Sequence, residues 1–449
     1  QNLMLLFRYI AIIVIGRSDS MALDTSKKLR NAVVYSVYVR NYGKNGKFTD
    51  VEEDLQRIKD LGTDIIWFMP IHPIGEVNRK GVLGSPYAIK DYRGINPEYG
   101  TLEDFRRLVD KIHQLGMKVM IDVVYNHTSP DSWLVENHPE YFYIKPDGKR
   151  GNKVGDWSDI VDLDYNNKDL WTYQIDTLKY WVGIGVDGFR CDVAPLVPIQ
   201  FWMKAREEVN KVKPGVIWLA ESVEHGFISY LRKEGFVAHS DCEVYNAFDI
   251  CYDYDVHNYF KGYLKGKNSL KEYIDRVALQ EVIYPDNYVK LRFLENHDQP
   301  RAKELIPDNE KLNIWTAYMF FQKGAALIFN GQEARDHHLP NLFNDDKVNW
   351  DDMNDGFVNM IKRLSALKKK DIMAEGNYSI GVVENKDVIV ITYEKGNEKL
   401  IGIFNVNLED GTIKLPVDDG EYENLVTGEK ISILDGEIEL PYHPLIIKA

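Results

Sequence analysis

Four short apolar runs end in ionisable residues of the kinds that cooperate in bond cleavage. They are Asp122-Val-Val-Tyr-Asn126-His127, Arg190-Cys-Asp192, Glu221 after Val216 to Ala220, and Glu295-Asn-His297-Asp298. A single acid after a strand is usually a helix cap or half of an ion pair. Four strands ending in acids, with His and Arg beside them, are hard to explain by stability, because gathered carboxylates repel one another. Paired carboxylates suit glycosidic cleavage, where one protonates the leaving oxygen while the other attacks the anomeric carbon or activates water. Arg190 and Asp192 stand two residues apart on a strand, so their side chains share a face. That predicts Asp192 as the ionised nucleophile and leaves Glu221 as the acid, its pKa raised by a like-charged neighbour.

Such groups need a scaffold that brings strand ends together. From residue 33 the chain alternates apolar, β-branched runs with stretches of helical period, the pattern of β/α units. The expected strands are Val33 to Val39, Asp64 to Met69, Lys118 to Val124, Val186 to Asp192, Val216 to Ala220, Glu243 to Phe248, Lys290 to Leu294 and Ala325 to Phe329. Helices such as Leu102 to Leu115, Trp171 to Ile184 and Ile199 to Val212 lie between them, and three stop at Leu61-Gly62, Leu115-Gly116 and Ile184-Gly185. Eight strands alternating with helices predict an α/β fold of the (β/α)8 TIM-barrel kind, with reactive groups past the carboxyl ends of the strands. An open doubly wound sheet would give a similar pattern, but no Gly-rich phosphate turn follows the first strand.

The domain boundaries follow from composition. Residues 30–127 and 171–374 form the catalytic barrel, and residues 128–170 are too long for a loop and form a small inserted domain after strand 3. Residues 375–449 hold short alternating strands with turns at Glu394-Lys-Gly-Asn397, Asp410-Gly411 and Asp435-Gly436, which predict a C-terminal antiparallel β-sandwich domain. Residues 1–29 are an N-terminal extension; Leu3 to Ile15 is apolar but too short to span a bilayer and lacks a clear signal-peptide pattern. Met21 could be the true start.

Composition narrows the classes of function. A net charge of −14 and the lack of a basic stripe argue against nucleic acid. The 12% aromatic content, with 27 Tyr and 9 Trp, serves either sugar stacking or a barrel core. Cys191, Cys242 and Cys251 have neither disulfide-framework nor metal-ligand spacing, so a reducing, cytoplasmic setting is expected. No motif calls for an organic cofactor, and nothing specifies an oligomeric state.

At its acidic segments the sequence resembles the α-amylase family of glycoside hydrolases, from about residue 30 onward. The matching motifs are Asp122-Val-Val-Tyr-Asn-His127, Gly188-Phe-Arg-Cys-Asp192, Glu221 and Asn296-His-Asp298, with Ser85-Pro-Tyr87-Ala-Ile-Lys-Asp91-Tyr and Asn96-Pro-Glu-Tyr-Gly100 after the second strand. The resemblance implies that Asp192 forms a covalent glycosyl intermediate, Glu221 acts as acid then base, and Asp298 binds sugar hydroxyls and favours ring distortion. Retention of configuration follows, with the Asp192 and Glu221 carboxyls about 5 to 5.5 Å apart. Arg190, His127 and His297 would contact the sugar, Tyr87 would stack on it, and Arg301 would lie among the substrate-binding groups. The implied substrate is an α-glucan or malto-oligosaccharide cleaved at α-1,4 bonds.

Some positions depart from that pattern. Many starch-degrading members carry Lys-His where this chain has Pro195-Leu196. Val193 and Gln299-Pro-Arg301 look like the exo-acting branch that includes oligo-1,6-glucosidases, whereas Ala88 stands where that branch carries an Asp that helps close a pocket. On balance a groove open to longer chains is expected. Asn126 and Asp162 match ligands of a structural Ca²⁺, with the Leu196 carbonyl able to serve as a third, so one calcium is expected; a second, near Asn41 to Lys47, is not. An exo-acting α-glucosidase or a transglycosylase, which differs in whether water or a sugar resolves the intermediate, remains the alternative. A non-enzymatic sugar- or partner-binding barrel would normally have lost acids that are all present here.

Overall fold

The structure, a computed structural model, describes residues 24–154 and 157–449. The apolar run Leu3 to Ile15 and Met21 lie outside the described residues. The strands in chain order are β1 (Val33–Val37), β2 (Ile65–Phe68), β3 (Lys118–Val123), β4 (His127–Thr128), β5 (Val161–Asp162), β6 (Gly188–Cys191), β7 (Ile217–Ala220), β8 (Ile250–Tyr252), β9 (Val289–Arg292) and β10 (Ala325–Phe329). Eight of them close a parallel barrel in the order β1-β10-β9-β8-β7-β6-β3-β2. Its strands are buried on both faces, which is why runs such as Ile65-Ile-Trp-Phe68 are apolar throughout instead of alternating.

The helices between strands follow local signals. Thr101 caps Leu102–Gln114 through a reciprocal bond with Asp104, and Gly185 ends Lys168–Ile184 at φ +119°, a conformation that L side chains resist. The sixth barrel strand departs from expectation: Glu243 to Phe248 is not a strand, and β8 lies a few residues later. Ser240 and Glu243 form a capping box that starts the helix Asp241–Val244, so this local signal wins over the aromatic run beside it.

Between β3 and β6 the chain makes the expected small insertion, where β4 pairs with β5 antiparallel, His127 opposite Asp162. The C-terminal unit is a four-stranded antiparallel sheet, ordered Asn377–Val382, Val388–Lys395, Glu398–Asn405, Leu445–Lys448, with two further two-stranded pairs. Its own core includes Val388, Ile401, Ile433 and Ile447. The sheet docks on the barrel through Phe404 against Phe321, while the buried Lys368 ammonium donates to the carbonyls of Phe320 and Gln322 at the seam. Among the described residues no helix is long and apolar enough to cross a membrane.

Candidate active site

Parallel pairing fixes the centre of the site. Asp122 on β3 and Arg190 on β6 are register partners, and both side chains are fully buried. The Arg190 guanidinium reaches Asp122 Oδ1 at 2.9 Å and Asp192 Oδ1 at 3.1 Å through Nη1, and Glu221 Oε1 at 3.2 Å through Nη2. Its Nε donates to Tyr252 Oη at 3.1 Å, and Trp67 and Tyr87 pack over it. Arg190 therefore does not single out Asp192, as two-residue spacing suggested; one guanidinium serves three carboxylates from three strands. Asp122, which Trp67 and Tyr87 also hydrogen-bond, anchors that guanidinium. Sequence reasoning placed Asp122 in a motif without a role, although an acid on the neighbouring strand was the available signal.

Glu221 Oε2 also accepts the backbone N–H of Val193 at 2.8 Å. To present that N–H, Val193 takes φ +35°, a conformation that costs a β-branched residue on the order of 1–3 kcal/mol. Strain held beside an acid marks a position shaped for something other than stability.

Across the cavity, His297 Nε2 pairs with Asp298 Oδ2 at 3.0 Å and lies 2.8 Å from Tyr87 Oη, with the two rings stacked. Asp298 leaves 44% of its side chain open to the cleft. Asp192, Glu221, Asp298, Tyr87, His127 and His297 all line one cavity of about 330 Å³. The sequence therefore named six of the residues around it, and Arg190 lies beneath them. Lys80, Trp157, Asp159, Leu342 and Phe343 also stand in its walls. They were missed because they sit on loops with no chemical motif.

Burial sets the electrostatics. It pushes Asp192 and Glu221 each up to about 7; Arg190 opposes the rise in both, while Asp122 and Asp298 add to it at Asp192, and Asp192 and Asp298 add to it at Glu221. Asp122 is pushed up to about 6, again by burial first. Burial also acts against the ionised forms of His297 and Asp298, but their pairing outweighs it, raising the histidine and lowering the aspartate. Poised alike, Asp192 and Glu221 can hold one proton between them near neutrality, leaving one carboxyl as acid and the other ionised, the division that acid-assisted displacement requires, while Asp298 stays ionised beside them.

Arg301 is corrected. It is fully buried and makes no part of the cavity, because its guanidinium is bound to Glu295 Oε1 at 2.6 Å, Asp336 Oδ2 at 3.5 Å and the carbonyls of His338 and Asn330. Glu295, counted among the reactive strand ends, is its partner.

Asn126 and Asp162 do meet at the seam between barrel and insertion, Nδ2 to Oδ1 at 3.4 Å. The other oxygen of Asp162 accepts the Lys153 backbone N–H at 2.7 Å, and the Lys153 ammonium reaches toward Leu163 O at 3.4 Å. Among the described residues there is no group of three or more His, Cys, Asp or Glu that could hold a metal. One carboxylate, with a lysine alongside, does not fit a hard divalent ion that wants six or more oxygens.

Comparison with known proteins agrees with this architecture. The family described as the α-amylase catalytic domain matches residues 24–157 and 131–373, and the bacterial α-amylase C-terminal domain matches residues 379–447. An α-amylase structure from Lactobacillus plantarum superimposes with a TM-score of 0.92 at 49% identity, covering 94% of this chain and 100% of that one. A maltogenic α-amylase from Thermotoga neapolitana gives 0.84 at 36% identity, covering 94% and 99%. The α-1,4-glucan:maltose-1-phosphate maltosyltransferase of Cereibacter sphaeroides is 38% identical over 199 residues, which is 40% of this chain and 33% of the transferase, so this chain spans about a third of that relative's length. With the catalytic profile covering most of its length and a closed barrel carrying the acids at its mouth, the chain belongs to the α-amylase family and is a glycosidase.

Proposed function

We propose that the enzyme hydrolyses α-1,4-glucosidic bonds in starch-like glucans or malto-oligosaccharides with retention of configuration. The observation that carries this reading is that Asp192 and Glu221 share the Arg190 guanidinium while both face one small cavity. Asp192 would attack the anomeric carbon, and Glu221 would protonate the departing glycosidic oxygen. Glu221 would then take a proton from water as that water opens the glycosyl ester. Arg190 keeps the two acids oriented, and the Val193 N–H fixes the Glu221 carboxyl. Asp298 and His297 lie where they can bind the hydroxyls of the sugar being cleaved, with Tyr87 beside it. No step needs a metal, and the half-buried Lys153 supplies positive charge at the seam where calcium was expected. The linkage rests on likeness to the Lactobacillus plantarum and Thermotoga neapolitana amylases. Relatives named as maltosyltransferases keep transfer to a sugar acceptor as the second reading.

The test is turnover of maltoheptaose by Asp192→Asn and Glu221→Gln. Each should lose at least roughly 10³-fold in kcat with an unchanged melting temperature. Substantial activity in either folded variant removes the assigned roles.

A further inference from the structure

We infer that the cleft is closed on the side opposite Glu221, so that the enzyme takes glucan chains from their non-reducing ends and releases short pieces. This rests on the hydrolase reading above and deepens it. In the barrel order β1-β10-β9-β8-β7-β6-β3-β2, the strand that carries Glu221, β7, stands four places from β1 in either direction. The acid must lie on the leaving-group side of the bond it protonates. The glycone side of the chain therefore runs toward β1 and its neighbours β2 and β10.

That is where the wall stands. After β1, the buried Arg40 ties two loops together, donating to Gly84 O at 3.0 Å in the loop after β2 and to Leu342 O at 2.9 Å in the loop after β10. The loops also bond directly: Leu83 N donates to Phe343 O and Val82 N to Asn344 Oδ1, both at 2.9 Å. Gly81, at φ +65°, packs so closely that a Cβ there would meet Phe343 Cβ at 2.5 Å. The first loop continues the wall to the inserted domain, where Lys80 pairs with Asp159 at 3.0 Å and Asn78 Nδ2 donates to Ser158 O at 3.1 Å.

The result is an unbroken rim from the last barrel loop to the insertion. The cavity it bounds, about 330 Å³, is at the small end for ligand pockets and has room for one or two glucosyl residues rather than a run of them. Lys80 and Asp159 both face that cavity, so the end wall offers a donor and acceptors to the hydroxyls of a terminal sugar. The groove that Ala88 led us to expect is blocked where residues 78–84, just before Ala88, meet the loop after β10 and the insertion.

The experiment compares two 4-nitrophenyl maltoheptaosides, one free and one carrying a 4,6-O-ethylidene acetal on its non-reducing terminal sugar, with products separated by chromatography. The wild type should cleave the free chain, yielding products of one or two glucosyl units, and the blocked chain roughly 10²-fold more slowly. Lys80→Ala combined with Phe343→Ala, checked for folding by its melting temperature, should regain activity on the blocked chain. Equal wild-type rates on both chains overturn the inference, and a folded double variant that still rejects the blocked chain overturns its assignment to this wall. Failure to cleave either chain would instead overturn the hydrolase reading.

Discussion

Two buried arginines, each held among acids near strand ends, look alike in the sequence and do opposite things in the fold. Arg190 gathers Asp122, Asp192 and Glu221, and two of those carboxylates open onto the cavity. Arg301 gathers Glu295 and Asp336, and every one of those oxygens is used within the protein. Glu295 Oε2 accepts Ala302 N at 2.6 Å, while Asp336 accepts the backbone N–H groups of His338 and Asn349. The difference lies in what remains to be satisfied. A cluster that keeps carboxyl groups facing a cavity, at a cost in repulsion, is kept for a ligand; a cluster that closes on itself is part of the frame.

The same substitution made at both sites should separate them most clearly. Lysine keeps the charge but loses the planar fork that binds several acceptors at once. Arg190→Lys should lower kcat on the order of 10²-fold, because Asp192 and Glu221 are no longer held on one plane. Arg301→Lys should leave kcat of the folded enzyme near wild type and lose roughly 3 kcal/mol of stability, since buried carbonyls and carboxylates lose their donors. Urea unfolding and turnover, measured on both variants, check this. Loss of kcat in Arg301→Lys at full stability would erase the distinction drawn here.

Asp122 offers a finer cut, because its charge raises the pKa of Asp192 without lining the cavity. Asp122→Asn removes a negative neighbour, so the Asp192–Glu221 pair should give up its last proton more readily. The basic limb of kcat/KM, expected near pH 7 from the values of about 7 for both acids, should move to lower pH by roughly one unit. A limb that stays in place would mean that Asp122 acts only as a structural anchor.

How far the sequence reached follows the same logic. The barrel was legible because parallel strands buried on both faces must be continuous apolar runs, and helices between them end in glycines such as Gly185. The sixth strand was misplaced because β8 has only three residues and a capping box precedes it. Asp192, Glu221, Asp298, Tyr87, His127 and His297 were legible because they sit in compact motifs that the fold delivers to one cavity. Arg301 sits in such a motif too, and its error shows the limit. A motif gives proximity along the chain, whereas the partners that seal Arg301 come from His338, Asn330 and Asp336, beyond any local pattern. The wall of Lys80, Asp159 and Phe343 was invisible for the same reason, being made where three separate loops meet.

The seam between barrel and insertion gives the smallest and most specific test of whether a charged site is open or sealed. If it were open like the Arg190 site, a divalent ion would bind Asn126 and Asp162, and a chelator would destabilise the protein by removing a ligand of the folded state. The geometry places the seam with Arg301 instead: Asp162 already accepts the Lys153 N–H, and the Lys153 ammonium is tucked toward Leu163 O. Excess EDTA should therefore leave the wild-type melting temperature unchanged. Lys153→Ser removes the internal cation and leaves space beside the Asp162 carboxylate, so its melting temperature should fall by roughly 2–4 °C for each kcal/mol lost. Millimolar calcium should recover part of that loss in the variant while doing nothing for the wild type, because only in the variant does the carboxylate lack a nearby positive charge. A wild-type melting temperature that drops in EDTA and returns with calcium would show that the seam is an ion site and that Lys153 merely borders it.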